Sequence, residues 1–164
     1  MQPFRDRAYS AFRMAQKPVL AVFPFLQQLD PDMISGLSLV FSPIAYLLLS
    51  ERAILASIVT IFFVLLLDAF DGIVARAKGQ IGSRDGWMVD VAVDRVSEAI
   101  ICIALSRVFI LLTIVNIGLA LLSCRYKRHA IIPLRQITLA ILVSYFLLQS
   151  HPIFSLLDQI VFCW

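Results

Sequence analysis

A chain of 164 residues that is 60% hydrophobic and only 15% charged cannot hide its apolar excess in one small water-soluble core. The same composition excludes intrinsic disorder, and mean hydropathy is +0.89. The net charge of +3 is assigned to basic loops facing an anionic membrane surface, with no nucleic-acid partner.

Residues 1–30 form a basic segment in which Phe4, Ala8, Ala11 and Ala15 share one helical face, with Arg13 and Lys17 opposite. This pattern predicts an N-terminal interfacial helix. Residues 31–164 read as a single transmembrane domain of all-α class. At roughly 20 residues per crossing the length allows about six spans. The predicted spans are Met33–Leu49, Ile54–Leu67 continuing through Arg76, Gly86–Ser106, Val108–Ser123, Ile131–Gln149 and the shorter Pro152–Trp164. Cys102, Cys124 and Cys163 suit no disulfide framework and are expected to pack.

Loop charge orients the spans. With the N-terminus in the cytoplasm, the cytoplasmic segments hold ten basic residues: Arg5, Arg7, Arg13, Lys17, Arg76, Lys78, Arg84, Arg125, Lys127 and Arg128. The opposite side holds Arg52 and Arg107. The bias predicts a multi-pass protein of the cell membrane with both termini cytoplasmic.

Ionisable residues in hydrocarbon are costly and need a reason. Here they gather between Asp68 and Glu98, around one basic loop. At about 100° per residue, Asp68, Asp71, Gly72, Ala75 and Arg76 fall on one helical face. Gly86, Asp90, Asp94, Ser97 and Glu98 share another, while Arg95 points away and is expected to serve as a structural ion-pair partner or to snorkel. The two faces are expected to meet at the cytoplasmic ends of the second and third spans. Four aspartates meeting there would repel unless a cation neutralised them, and basic partners on those faces are few. Hard divalent ions, Mg²⁺ or Mn²⁺, answer that need, and two ions about 3.5–4 Å apart form a clamp for phosphoryl chemistry. The small residues Gly72, Ala75 and Gly86 leave room for a bulky ligand, and Arg76 is placed to bind a phosphate.

Asp68-x2-Asp71-Gly72-x2-Ala75-Arg76, followed by Gly86-x3-Asp90-x3-Asp94, resembles the signature of CDP-alcohol phosphotransferases in all but one spacing. The gap between Arg76 and Gly86 is one residue longer than usual, and Asp85 stands at the usual glycine distance. Pro31-Asp32-x2-Ser35 is similar to a second family segment, with Asp for Asn. The resemblance implies a metal-dependent transferase of phospholipid biosynthesis, acting as a homodimer. It passes a phosphatidyl-type group from a CDP-lipid to an alcohol and releases CMP. It also implies that Asp68, Asp71 and Asp90 are metal ligands, that Asp94 is a metal ligand or the catalytic base, and that Gly72, Ala75, Arg76 and Gly86 border the CDP group beside Asp68.

Asp94-Arg95-Val96-Ser97-Glu98-Ala99 is similar to the run found in the branch that uses inositol phosphate and makes phosphatidylinositol phosphate or its archaeal ether-lipid analogue. Ser123-Cys124-Arg125-Tyr126-Lys127-Arg128 and Pro133-x-Arg135 look like shortened forms of that branch's later motifs. The resemblance makes Ser97, Arg125, Arg128 and Arg135 candidate acceptor contacts. Glycerol phosphate, serine or another alcohol is the alternative acceptor. From other classes, the alternatives are an intramembrane cation or proton carrier and an inactive family member.

Overall fold

Polar residues recur on the first apolar segment at helical spacing, and they lie on the face that it buries. Helix α1, Pro31–Ser50, has Pro31 at its start, where the missing N–H costs nothing. It turns Ile34, Ser35, Ser38, Ser42, Ala45 and Leu49 inward, while Met33, Leu37, Val40, Ile44 and Leu47 face outward. The other helices repeat this inversion: Ser57, Ser97, Thr113, Asn116 and Thr138 are buried, and Leu55, Val59, Phe62, Leu111, Ile114 and Leu121 are exposed. Small and polar residues at helix contacts, with apolar residues outside, suit helices that pack within lipid.

The computed structural model describes residues 28, 30–78, 84–126, 132–148, 158, 159, 161 and 162, without the side chains at 76, 84–91 and 123–126. Among these residues α1 is followed by α2, Ile54–Ala77; α3, Arg84–Ile103; α4, Arg107–Tyr126; and α5, Leu134–Leu147. The five helices coincide with the first five predicted spans to within a few residues. The fifth starts three residues later than expected, because Pro133 occupies its N-cap. The predicted interfacial helix and most of the predicted sixth span lie outside the described residues. Helix α1 and the stretch Ile54–Ala75 of α2 are long and apolar enough to cross a membrane; the apolar stretches Arg107–Leu122 and Leu134–Leu147 are shorter.

Helix α1 packs against both α2 and α3, α3 against α4, and α5 against α2 and more lightly α3. Helices α2 and α3 are therefore bridged by α1 and by α5. The larger core, including Ala45, Leu49, Ile61, Ile101, Leu105, Phe109 and Leu142, fills the middle and one end of the bundle. At that end Arg52 takes a left-handed backbone conformation (φ 56) in the turn between α1 and α2. Its guanidinium lies 3.5 Å from Asp158 and 5.3 Å above the Phe162 ring, and Tyr145 donates to the same Asp158 at 2.9 Å. The α3–α4 turn is tied to the last segment by the Ser106 N–H, which donates to the Val161 carbonyl at 2.9 Å. A smaller cluster of Ile34, Leu67 and Val74 lies toward the other end, where the acidic residues are.

Candidate active site

The start of α1, the later turns of α2, the middle of α3 and the first turn of α5 meet at that end. Each brings a polar side chain. From α2, Asp68 receives Arg135 of α5 through two bonds, Nη1 to Oδ1 at 3.2 Å and Nη2 to Oδ2 at 2.5 Å. The same Nη2 donates to Oδ1 of Asp94 on α3 at 2.9 Å. Arg135 keeps only 4% of its side chain exposed, against 21% for Asp68 and 33% for Asp94. A buried guanidinium needs such partners, all the more in the first turn of a helix, whose dipole disfavours positive charge. One turn along α2, Asp71 accepts a 2.6 Å bond from the Ser35 hydroxyl, which also approaches the Pro31 carbonyl at 3.3 Å. The segment Pro31–Ser35 thus meets the acidic face through its serine.

The two predicted acidic faces do converge, through Asp68 and Asp94, and a cation from a distant part of the chain lies between them. The shortage expected from the sequence was of local basic partners; this one comes from α5, 67 residues from Asp68. Ser97, a candidate acceptor contact, is fully buried, and its hydroxyl lies 2.5 Å from that of Ser42 on α1. Glu98 is also buried. Arg95 reaches back to it at 2.9 Å, as i,i+3 neighbours on a helix can, and so serves as the ion-pair partner expected of it. Gly72 and Ala75 lie half-buried on α2. Gly86 lies in the first turn of α3, the side chains of Arg76, Asp90 and Arg125 are outside what the structure describes, and Arg128 lies outside the described residues.

Two polar residues of this region escaped the sequence reading. Ser42 holds Ser97, and Asn116 of α4 donates to Glu98 at 2.7 Å. Asn116 carried a signal: it is the only asparagine in the chain and stands in an apolar span.

The donor chemistry fits a hard divalent ion. Carboxylate oxygens are what Mg²⁺ or Mn²⁺ takes, and Asp68 and Asp94 already share a single positive centre. Among the described residues no three His, Cys, Asp or Glu side chains are grouped to hold a metal; the Asp90 side chain is not among those residues.

No curated protein and no solved structure matches the chain. A family model does, that of the CDP-alcohol phosphatidyltransferases, over residues 29–164. The match takes in every described helix and the whole acidic constellation, and the chain belongs to the CDP-alcohol phosphatidyltransferase family.

Proposed function

We propose that this protein transfers a phosphatidyl-type group, diacyl or archaeal ether-linked, from a CDP-lipid to a hydroxyl of inositol phosphate and releases CMP. It does so as a multi-pass protein whose acidic site opens to the cytoplasm. The observation that carries this reading is the convergence of Asp68 and Asp94 on one cationic centre at one end of an apolar helical bundle. Two divalent ions, held by Asp68, Asp71, Asp90 and Asp94, would supply neutralising charge for the pyrophosphate. Ser35 orients Asp71 for this task. Gly72, Ala75 and Gly86 leave room for the CDP group, and Arg76 binds its phosphate. Asp94 takes the proton from the acceptor hydroxyl. The acceptor oxygen bonds to the lipid-side phosphorus, the bond from that phosphorus to the bridging oxygen breaks, and CMP leaves with that oxygen.

The choice of inositol phosphate rests on the Asp94–Ala99 run and on the basic residues Arg125, Arg128 and Arg135, which suit a phosphorylated acceptor. Of these, Arg135 stands in the acidic site itself, with its guanidinium held by Asp68 and Asp94. Ser97 is assigned to joining α3 to α1, on the strength of its bond to Ser42. The test is CMP release by the purified protein in lipid nanodiscs with CDP-diacylglycerol or CDP-archaeol and Mg²⁺. Inositol phosphate, inositol, glycerol phosphate and serine are offered one at a time. Release with inositol phosphate alone is the expected result. Release with another acceptor overturns the acceptor assignment and keeps the transfer reading; release with none sinks both.

A further inference from the structure

Asn116 lies in the middle of α4, 0% exposed, and its carboxamide makes three hydrogen bonds. Nδ2 donates to Glu98 Oε1 on α3 at 2.7 Å and to the Ile132 carbonyl at 2.8 Å. Oδ1 accepts from the Ile132 N–H at 2.9 Å. A carboxamide that meets both backbone groups of one residue fixes that residue in distance and rotation. The bonds go to the backbone, so they hold the path of the chain whatever side chain stands at 132.

Both ends of this clamp lead to the acidic site. Glu98 stands one helical turn beyond Asp94 on α3. Ile132 leads into Pro133, the N-cap of α5, and Arg135 follows in the first turn. The Leu134 N–H closes back onto the Ile132 carbonyl at 2.9 Å, which leaves little slack between the clamped residue and the helix. Glu98 has its own partner in Arg95 at 2.9 Å. What Asn116 adds is the link from Glu98 to the lead-in of α5.

We infer that Asn116 is a positioning residue of the transfer reaction: its carboxamide ties α3 to the start of α5 and thereby sets Arg135 against Asp68 and Asp94. The inference rests on the phosphatidyl-transfer reading for its kinetic consequence but not for its geometry.

The test is a double-mutant cycle in nanodiscs. Asn116→Asp keeps the shape and the acceptor but loses both donors; Asn116→Ser shortens the side chain without adding charge and serves if the first variant does not fold. Each is made with Arg135 and with Arg135→Lys. CMP release is measured with CDP-diacylglycerol, Mg²⁺ and inositol phosphate, or with whichever acceptor the wild type uses. Losing the clamp is expected to lower kcat by roughly tenfold to a hundredfold, the scale of a misplaced reacting group. In the Arg135→Lys background the same change should lower it by less than about twofold, whereas the loss in Tm should be alike in both. Adding Glu98→Gln to Asn116→Asp returns a donor to the pair and should recover part of kcat. An equal loss of kcat in both backgrounds overturns the inference, because the residue then acts on stability alone. Mn²⁺ binding, read by electron paramagnetic resonance on the same samples, decides even if the wild type is inactive with every acceptor. A displaced guanidinium competes less for the carboxylates, so Mn²⁺ affinity should rise in the Arg135 background and stay level in Arg135→Lys. No change in either background overturns the inference, whereas inactivity of the wild type alone overturns only the transfer reading.

Discussion

Arg135 grips both carboxylate oxygens of Asp68, at 3.2 and 2.5 Å, across 67 residues of chain. Asp94 joins through the same guanidinium, so three helices are locked at one end by charge. In apolar surroundings separating those charges is costly, and the lock places two carboxylates from different helices at one spot.

Replacing that guanidinium is expected to cost stability that a divalent ion can restore. Arg135→Gln leaves Asp68 and Asp94 without their shared cation. A loss of about 3 kcal/mol is expected, the low end for breaking a buried pair, because both carboxylates keep some exposure. Thermal unfolding in detergent, with and without Mg²⁺, checks this. Mg²⁺ should raise the Tm of the variant more than that of the wild type; an equal rise would separate the arginine from the metal site.

Asp94→Asn preserves shape, and the amide oxygen still accepts from Arg135. The fold should therefore persist while CMP release falls by roughly 10²–10⁴-fold, the range of a lost general base. Retained turnover would remove Asp94 from that role.

The Ser35 hydroxyl holds Asp71 at 2.6 Å. Partners that orient a ligating carboxylate contribute roughly 10–100-fold to metal affinity. Ser35→Ala should weaken Mn²⁺ binding on that scale, with little change in Tm. A Mn²⁺ titration that does not move would dissociate Asp71 from the metal.

Ser42 and Ser97 give an asymmetric pair. Ser42 donates to the Ser38 carbonyl at 2.8 Å, so the 2.5 Å bond between the hydroxyls is donated by Ser97. Ser42→Ala strands the buried Ser97 hydroxyl and should cost about 1–3 kcal/mol. Ser97→Ala strands nothing and should cost less, and the double variant no more than Ser42→Ala alone. Denaturation of the three variants measures this ordering. The KM for the acceptor should stay level in Ser97→Ala, since Ser97 is fully buried; a rise would return Ser97 to the acceptor pocket.

Local periodicity made much of this legible. Apolar runs separated by charged turns marked the five described helices, although the fifth was expected from Ile131 and begins only after Pro133. Helical register alone grouped Asp68 with Asp71, and Asp94 with Ser97 and Glu98, because faces follow from spacing. That grouping did not say what each residue meets. The α3 face divides its partners among three helices: Asp94 meets Arg135 of α5, Ser97 meets Ser42 of α1, and Glu98 meets Asn116 of α4.

The amino-acid order by itself determined that the chain is apolar, helical and acidic at one place, since composition and 3.6-residue periodicity are local properties. Only the tertiary structure decided that Arg135 neutralises Asp68 and Asp94, and that Asn116 ties down the chain leading to it. Those pairings join residues 16 to 67 positions apart, and they depend on how α1 and α5 bridge α2 and α3. Helix packing sets them, and no spacing within one helix encodes it.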